Sequence, residues 1–280
     1  MKREILIAAA LGEREPDLVL KNARVVNVFS GEVVPGDIAI AGGMIAGVGS
    51  YDSGERVVDL GGKFVAPGFI DAHTHLDMDN GVTATADDFA TGTRAAVCGG
   101  TTTVVDFATQ DKGGTLVLRR KVAAKLPVNY YVQLPSCVPA TPFEHAGEVF
   151  TAEKMKPFTE EPRVLGLGEM MNYPGVAGRD PAVMAKFELF SGRVVDGHAP
   201  GITGNGLQAY IAAGTGTDHE STSWAEAHEK LRAGLAVLVR EGSACKNLAP
   251  IIEGALADGV DTSHMAFCTD DKHLADIRRA

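Results

Sequence analysis

Residues 17–64 alternate short β-rich runs with glycine turns. The runs are DLVLKNARVVNV, GDIAIAGGMIAGVG and ERVVDLGGKFVAPG. Val, Ile and Leu recur between turn residues at intervals of about 8–12 residues, which is typical of short strands joined by tight turns. The pattern predicts a small antiparallel β unit, which we place at residues 1–64.

From Phe64 onward, short apolar runs alternate with helix-like stretches. The predicted strands are 64–73, 101–107, 128–134, 163–169, 193–198, 213–219, 235–242 and 264–270. The predicted helices are 85–98, 114–125, 144–156, 181–190, 204–213, 222–233 and 246–258. Strands that alternate with helices are typical of an α/β fold with a parallel sheet. Eight strands favour a (β/α)8 TIM-like barrel over residues 65–280, and a doubly wound open sheet is the alternative.

The composition is that of a globular protein and excludes some classes of partner. Of the 280 residues, 45% are apolar and 22% are charged, and the formal net charge is −10. This acidic balance argues against a nucleic-acid or anionic-membrane partner, because both need clustered Lys and Arg. No window approaches the roughly 20 apolar residues that a membrane span requires. The cysteines show no paired spacing, so we expect buried thiols in a reducing cytoplasm: Cys98, Cys137, Cys245 and Cys268.

Histidines and carboxylates stand at the ends of five predicted strands. His73 and His75 close the first strand in the stretch GFIDAHTHLDMDN, and residues i and i+2 of a strand point to the same side. Taken alone, such a pair is explained equally well by ordinary hydrogen bonds. The candidates at the ends of later strands are Glu169, His198, His219 and Asp270. Because the active sites of barrel enzymes lie at the carboxyl ends of the strands, we expect all six side chains to meet in one cavity.

Six such groups suit two divalent metal ions, since one zinc ion usually takes four ligands. The ligands would be His73, His75, Glu169 and Asp270 for one ion, and Glu169, His198 and His219 for the other. Glu169 would bridge the ions, because a carboxylate has two oxygens. Two cations about 3.5–4 Å apart can hold a shared hydroxide at neutral pH. Asp270 would accept and deliver protons, so Asp270 and Glu169 are the predicted catalytic residues. Zn, Mn and Fe all suit these ligands.

Other polar residues beside these strand ends are candidates for contact with the ligands or with a substrate. Asp218 and Glu220 flank His219, and they either orient its imidazole or are solvated acids. Four residues follow the seventh strand, namely Arg240, Glu241, Ser243 and Lys246. A helix N-cap explains Ser243 equally well. No residue is assigned to substrate binding.

The stretch PGFIDAHTH, together with His, His and Asp after strands five, six and eight, resembles the amidohydrolase superfamily. Within it, about three-quarters of the chain resembles bacterial adenine deaminases, in the stretches DLVLKNARVVNVFSGEVVPGDIAI, LPSCVPATPFEHAG, GLGEMMNYPGV, DGHAPG, LQAYIAAGTGTDHE, EKLRAGLAVLVREGSACKNL and CTDD. The resemblance implies that Glu169 bridges two metal ions, with Mn or Fe favoured. It implies a purine substrate: hydroxide adds to C6 of adenine, ammonia leaves and hypoxanthine forms. Because such enzymes commonly assemble from several copies of one chain, the resemblance also implies a homo-oligomer.

Residues 76–114 resemble dihydropyrimidinases and hydantoinases instead. Adenine deaminases carry Asp-Pro-His-Glu after strand two, where this chain reads VDFATQDK, which leaves adenine recognition open. Hydantoinases bridge their metals with a carbamylated Lys after strand four, and no Lys lies between residues 163 and 185. A cyclic-amide hydrolase is therefore the alternative enzyme function.

Adenine deaminases continue far beyond strand eight, whereas this chain ends at Ala280. We therefore expect the last barrel helix and a C-terminal domain to be missing. A truncated, non-catalytic fragment that binds metal or a partner is the third functional hypothesis.

Overall fold

The computed structural model divides the chain into two compact units, Met1–Gly68 and Phe69–Ala280. The structure describes residues 2–78, 84–107, 125–140, 143–144 and 148–277. No helix among these residues is long and apolar enough to cross a membrane.

The first unit is a five-stranded sheet with one helix. Its elements are α1 (Lys2–Ala10), β1 (Leu18–Asn27), β2 (Glu32–Ala41), β3 (Met44–Gly49), β4 (Val57–Asp59) and β5 (Phe64–Val65). Strands β1, β2 and β3 pair antiparallel as predicted, but β4 and β5 pair parallel with β1. The prediction of an all-antiparallel unit is therefore wrong. An alternating pattern shows which face of a strand is buried, but it does not show the direction of the neighbouring strand.

In the described part of the second unit, eight parallel strands form the framework. They are β6 (Phe69–Thr74), β7 (Thr101–Phe107), β8 (Asn129–Pro135), β9 (Val164–Met170), β10 (Val194–Gly197), β11 (Thr217–Asp218), β12 (Ala236–Arg240) and β13 (Met265–Cys268). Strands β6 to β10 form one sheet and β11 to β13 form a second, each in chain order. The predicted α/β class is confirmed, and each predicted strand overlaps an observed one. The order contains no reversal, which a doubly wound sheet requires.

Backbone hydrogen bonds cross both gaps between the two sheets. Gly216 N donates to Val195 O at 3.0 Å, between β10 and β11. At the other gap Asp270 N donates to His73 O at 2.9 Å, and His75 N donates to Asp270 O at 3.2 Å. The parallel sheet is therefore curled, and it brings the end of β13 beside the end of β6.

The predicted run 64–73 is divided between the two units. Phe64–Val65 pairs with β1, whereas Phe69–Thr74 pairs with β7. Pro67 lies between them and has no backbone N–H to donate to a ladder, which interrupts the run.

Helices follow most of the strands of the second unit. They are α2 (Phe89–Cys98), α3 (Ala152–Met155), α4 (Tyr173–Ala177), α5 (Pro181–Leu189), α6 (Gly204–Ala212), α7 (Trp224–Arg232), α8 (Leu248–Asp258) and α9 (Leu274–Ile277). The helix predicted at 144–156 is much shorter than expected, and α4 was not predicted. The helix predicted at 114–125 lies almost entirely outside the described residues.

Side chains of Asp and Ser begin several of these helices. Asp88 accepts a hydrogen bond from Thr91 N at 2.7 Å, which is why α2 starts at Phe89 and not at the predicted residue 85. Asp180 and Ser223 cap α5 and α7 in the same way. These side-chain contacts set the first residue of α2, α5 and α7.

The main core lies between the sheet and the helices that cover it. Leu134, Leu167, Met170 and Tyr210 are at most 1% exposed. They belong to one apolar cluster that spans β7 to β10 and α4 to α6. A second, smaller cluster joins α7, β12 and α8. Of the cysteines, Cys137 and Cys268 are buried as predicted, but Cys98 and Cys245 are exposed, so the prediction of four buried thiols is wrong for those two.

We expect Gly166→Ala to destabilise the protein, because a Cβ at this position would lie 1.9 Å from Val194 O on the neighbouring strand. Overpacking of this kind costs about 1–3 kcal/mol of unfolding free energy. Urea unfolding followed by circular dichroism measures the loss.

Gly216→Ala is the matched control, because its nearest atom, Val195 O, would lie at an ordinary 3.9 Å. Equal stability of the two variants would show that β9 and β10 are not packed as closely as described.

Candidate metal centre and active site

His73 and His75 lie together at the end of β6. Their Nε2 atoms are 3.3 Å apart, as expected for residues i and i+2 of a strand. The His73 ring is fully buried, and it packs against Phe107 with ring centroids 4.0 Å apart. The pair therefore projects inward, where further groups meet it.

Asp270 and Glu169 bring carboxylates to this pair. His75 Nε2 lies 3.0 Å from Asp270 Oδ1 and 3.2 Å from Glu169 Oε1. His73 Nε2 lies 3.5 Å and 3.7 Å from the same two oxygens. Strands β6, β9 and β13 thus deliver their terminal side chains to one point.

His198 and His219 complete the cluster on the opposite side of Glu169. Glu169 Oε2 lies 3.3 Å from His198 Nδ1, while its other oxygen faces His75. The His219 ring stacks on His73 with centroids 3.8 Å apart, and it lies 5.4 Å from the His198 ring. The expectation that all six side chains meet agrees with this geometry, and their roles as ligands remain predictions.

The chemistry of these residues fits metal ions. Three groups have ligand atoms within 4.8 Å of one another: His73, Glu169 and His219; His73, His75 and Asp270; and His198, His219 and Glu220. Among the described residues, several cluster atoms are buried without a hydrogen bond of good geometry, namely His75 Nδ1, Glu169 Oε1, His198 Nδ1 and His219 Nδ1. Buried polar atoms of this kind normally have partners. Imidazole and carboxylate donors are those that Zn, Mn and Fe accept.

Charge pairing within the cluster shifts the pKa of its members in opposite directions. Burial alone would lower the pKa of His75, but contacts with Asp270 and Glu169 raise it to about 9. The pKa of His73 is also raised, by Asp196 and Asp270 against the effect of burial. Burial would raise the pKa of the Glu169 and Asp270 carboxyls, but contacts with the neighbouring imidazoles hold both pKa values well below the usual range. Without an ion, the imidazoles of His73 and His75 therefore hold protons that a metal would displace.

Asp196 is a buried residue of the site that the sequence reasoning missed. Its Oδ2 lies 3.0 Å from His73 Nδ1 and 3.6 Å from His219 Nδ1. Thr217 Oγ1 donates to its other oxygen. A carboxylate on one ring nitrogen leaves the other nitrogen free to bind a metal. The available signal was spacing, because Asp196 stands two residues before His198 on the same strand side.

Arg240 links two further acids of the site. It donates from Nη1 to Asp270 Oδ2 at 2.8 Å and from both terminal nitrogens to Glu220. Glu220 Oε1 also lies 3.4 Å from His219 Nε2 and 3.8 Å from His198 Nδ1. Contact of Arg240 and Glu220 with the ligands was among the sequence expectations, and both residues lie beside the candidate ligands.

The other candidates beside the strand ends make different contacts. Asp218 contacts backbone and Lys230 instead of the His219 ring. Ser243 does not cap α8, whose N-cap residue is Asn247, so the N-cap alternative for Ser243 is wrong. Glu241 and Lys246 form an isolated backbone bridge to each other.

The two predicted catalytic carboxylates stand on unusual backbone. The φ angle is +29° at Glu169 and +51° at Asp270, in the left-handed region that residues other than glycine rarely adopt. Such positions cluster at functional sites, where the surrounding structure must hold them. Ser136 Oγ donates to the Glu169 carbonyl, and the backbone of β6 holds Asp270.

A comparison with family models decides the family. Residues 64–278 match the model of the amidohydrolase family. The chain belongs to the amidohydrolase family. The match spans the whole of the second unit's sheet and every one of the six candidate residues.

The curated relatives that the chain matches include several adenine deaminases. The chain is 47% identical to an adenine deaminase of Desulfitobacterium hafniense (strain Y51), over 98% of this chain and 48% of the relative. It is 46% identical to adenine deaminase 2 of Carboxydothermus hydrogenoformans, over 97% of this chain and 47% of that protein. The chain therefore spans about half the length of the curated relatives that it matches.

Solved structures with a similar fold include hydantoinases. A crystal structure of D-hydantoinase superposes with a TM-score of 0.64 at 23% identity, over 90% of this chain and 68% of the other. Dihydropyrimidinase from Brevibacillus agri NCHU1002 superposes with a TM-score of 0.51 at 23% identity, over 90% of this chain and 56% of the other. At this identity the similarity concerns the fold alone.

The segment after strand two, where adenine recognition was left open, is only partly described. Asp106 in β7 is buried and accepts hydrogen bonds from Leu76 N at 3.1 Å and from the Tyr130 hydroxyl. The rest of the stretch VDFATQDK, from residue 108 onward, lies outside the described residues, as do residues 79–83 of the hydantoinase-like segment.

The metal-free protein should lose stability as the pH rises from about 6.5 to about 9. The raised pKa of His75 means that its contribution is fully present below the unfolded value of 6.5 and is lost through about 9. The lowered pKa of Asp270 and of Glu169 adds a loss at acid pH instead. Urea unfolding of chelator-treated protein at pH 6, 7.5 and 9 measures the slope.

The slope should become shallower in His75→Gln and stay unchanged in His264→Gln, whose imidazole is exposed. An unchanged slope in His75→Gln would contradict the assigned ion pairs.

Asp196→Asn should weaken metal binding about 10–100-fold, because its carboxylate holds the Nδ1 side of His73. Competition against a chromophoric chelator gives the affinity. Asp180→Asn is the control, since that carboxylate caps α5 through Ala182 N. Equal affinity of the two variants would show that Asp196 does not support His73.

Proposed function

We propose that this chain carries the catalytic barrel of an adenine deaminase, which hydrolyses adenine to hypoxanthine and ammonia. The observation that carries the proposal is the meeting of four imidazoles and the Asp270 carboxylate around Glu169, in a chain 41–47% identical to proteins named adenine deaminase. Because the chain spans about half of those relatives, the activity of the whole protein is part of the proposal.

The two oxygens of Glu169 support a two-metal arrangement. One oxygen faces His73 and His75, and the other faces His198. His73, His75 and Asp270 would hold one divalent ion (Mn, Fe or Zn), His198 and His219 would hold the other, and Glu169 would bridge them. Bound there, such a pair supplies a water of lowered pKa and polarises the ring that is attacked.

Asp270 is suited to move the proton in this reaction. Its Oδ1 lies 3.0 Å from His75 Nε2, beside the proposed metal ions, so the ionised carboxylate would be placed to accept a proton from the attacking water. Arg240 Nη1 holds the second oxygen at 2.8 Å and so fixes the orientation of the carboxylate. The same group would then deliver the proton to the departing amine, which leaves as ammonia.

We infer further that the two sheets of the second unit close into one eight-stranded barrel, since hydrogen bonds cross both gaps. A cytoplasmic location, a purine as the small-molecule substrate and a homo-oligomer belong to the same proposal and rest on the family.

The alternative enzyme function is hydrolysis of a cyclic amide such as hydantoin. The resemblance of residues 76–114 to hydantoinases favours it. The position that bridges the metals in hydantoinases holds Glu169 at the end of β9 in this chain, and not a Lys that could be carbamylated. The adenine proposal therefore fits the site better.

Metal-loaded wild-type protein should release ammonia and hypoxanthine from adenine, and it should leave hydantoin and dihydrouracil unchanged. Asp270→Asn should lower kcat about 10²–10⁴-fold, the usual contribution of a general acid–base group. Chromatography of the products and metal analysis of each variant measure both effects. Asp261→Asn is the control, because that exposed carboxylate contacts Ser263 of its own turn.

Turnover of hydantoin without turnover of adenine would replace the proposal by the cyclic-amide alternative. Metal uptake without any turnover, together with activity of a longer chain, would favour the non-catalytic fragment.

A further inference from the structure

Lys230 is a fully buried lysine outside the cluster of candidate ligands. It lies on α7, and its side chain has 0% exposure. Lysines are almost never fully buried unless they are paired, because an ammonium that leaves water must regain its contacts. The proposed reaction gives this residue no part, so its burial needs another explanation.

The ammonium of Lys230 joins two chain segments that carry candidate ligands. Its Nζ donates to Ala199 O at 2.8 Å and to Asp218 Oδ2 at 2.8 Å. Ala199 directly follows His198, and Asp218 directly precedes His219. Its remaining contacts are Glu226 Oε1 at 2.8 Å and Ser221 Oγ at 3.1 Å. The Lys230 side chain therefore contacts the residue after His198 and the residue before His219.

Asp218 reinforces the same link from the other side. Its Oδ1 accepts from Ala199 N at 2.9 Å, which ties the segment after β10 to β11. Its Oδ2 accepts from Glu220 N and Ser221 N, which bends the chain around His219. Asp218 is 0% exposed, so this charged pair lies entirely out of water.

The two halves of the cluster are held by different means. His73 lies in β6 and His75 directly follows its last residue, Thr74, and both are held by backbone hydrogen bonds to Asp270. His198 and His219 come from two segments at the gap between the sheets, where β11 has only two residues. A short strand supplies few ladder hydrogen bonds, and the contacts of the Lys230–Asp218 pair add to them.

We propose that Lys230 is a positioning residue that ties the segments of His198 and His219 together and thereby sets the separation of their imidazoles. The consequence for metal binding and catalysis rests on the proposed deaminase function; the link between the segments does not.

The test removes both fully buried charges together, while Glu226, the other acid beside Lys230, keeps its hydrogen bonds from Gly201 N and Thr222 N. Lys230→Met alone strands the Asp218 carboxylate, which is strongly destabilising, so Asp218→Asn/Lys230→Met is made beside it. Lys154→Met is the control, because Lys154 donates to Glu148 and Val149 O at the surface.

The first measurement uses metal-free protein labelled with ¹⁵N-histidine, with imidazole resonances assigned by single His→Gln variants. In the double variant, the resonances of His198 and His219 should shift or broaden, while that of His75 stays. His228 is an internal control, because it lies on α7 with Lys230 and stacks on Trp224. Unchanged His198 and His219 resonances in the folded double variant would overturn the proposal, and a lowered unfolding midpoint would then mark Lys230 as a structural residue only.

The second measurement is titration with Zn²⁺ and, separately, Mn²⁺. The binding step that disappears in His198→Gln should weaken about tenfold or more in the double variant, the effect typical of residues that orient a ligand. Lys154→Met should match the wild type. Full retention of that step in the double variant would overturn the proposal. If the wild type takes up no metal or leaves adenine unchanged, the proposed function fails, while the resonances still decide the role of Lys230.

Discussion

The rest of the candidate site depends on the contacts between the buried Glu169 carboxylate and the imidazoles on either side of it. Its two oxygens lie 3.2 Å from His75 Nε2 and 3.3 Å from His198 Nδ1. A carboxylate that is 3% exposed is costly unless cations or donors surround it. The imidazoles from β6 and from the segment after β10 must therefore converge on it, and this convergence requires the sheet to curl.

Fixed cations hold the acids around this centre. Arg240, whose guanidinium keeps its charge at any physiological pH, contacts both Glu220 and Asp270. Lys230 holds Asp218 on the side of the cluster that faces α7. The imidazoles contact each other and the carboxylates of Glu169 and Asp270. These contacts would change if an imidazole lost its proton or if a metal ion were bound. This division separates the groups that keep the geometry from the groups that would react.

Much of this arrangement was predictable because a parallel sheet presents all its carboxyl ends at one edge. The positions of the eight strands followed from short apolar runs that alternate with helix-like stretches, and the six candidate residues followed from the five runs that end in His, Glu or Asp. Other expectations were wrong where a local pattern had two readings. The run 64–73 reads as one strand until Pro67 divides it between two sheets, and Ser243 reads as an N-cap although α8 begins after Asn247.

The sequence by itself determined the fold class, the order of the strands and the types of group at their ends, since periodicity and turn residues are local properties of the chain. Only the tertiary structure decided which groups touch. Asp196 meets His73 across 123 residues of sequence, and Lys230 reaches Ala199 across 31. The alternation of side chains along a strand shows on which face of the sheet a residue lies. Which residue it contacts on that face depends on how far the sheet curls.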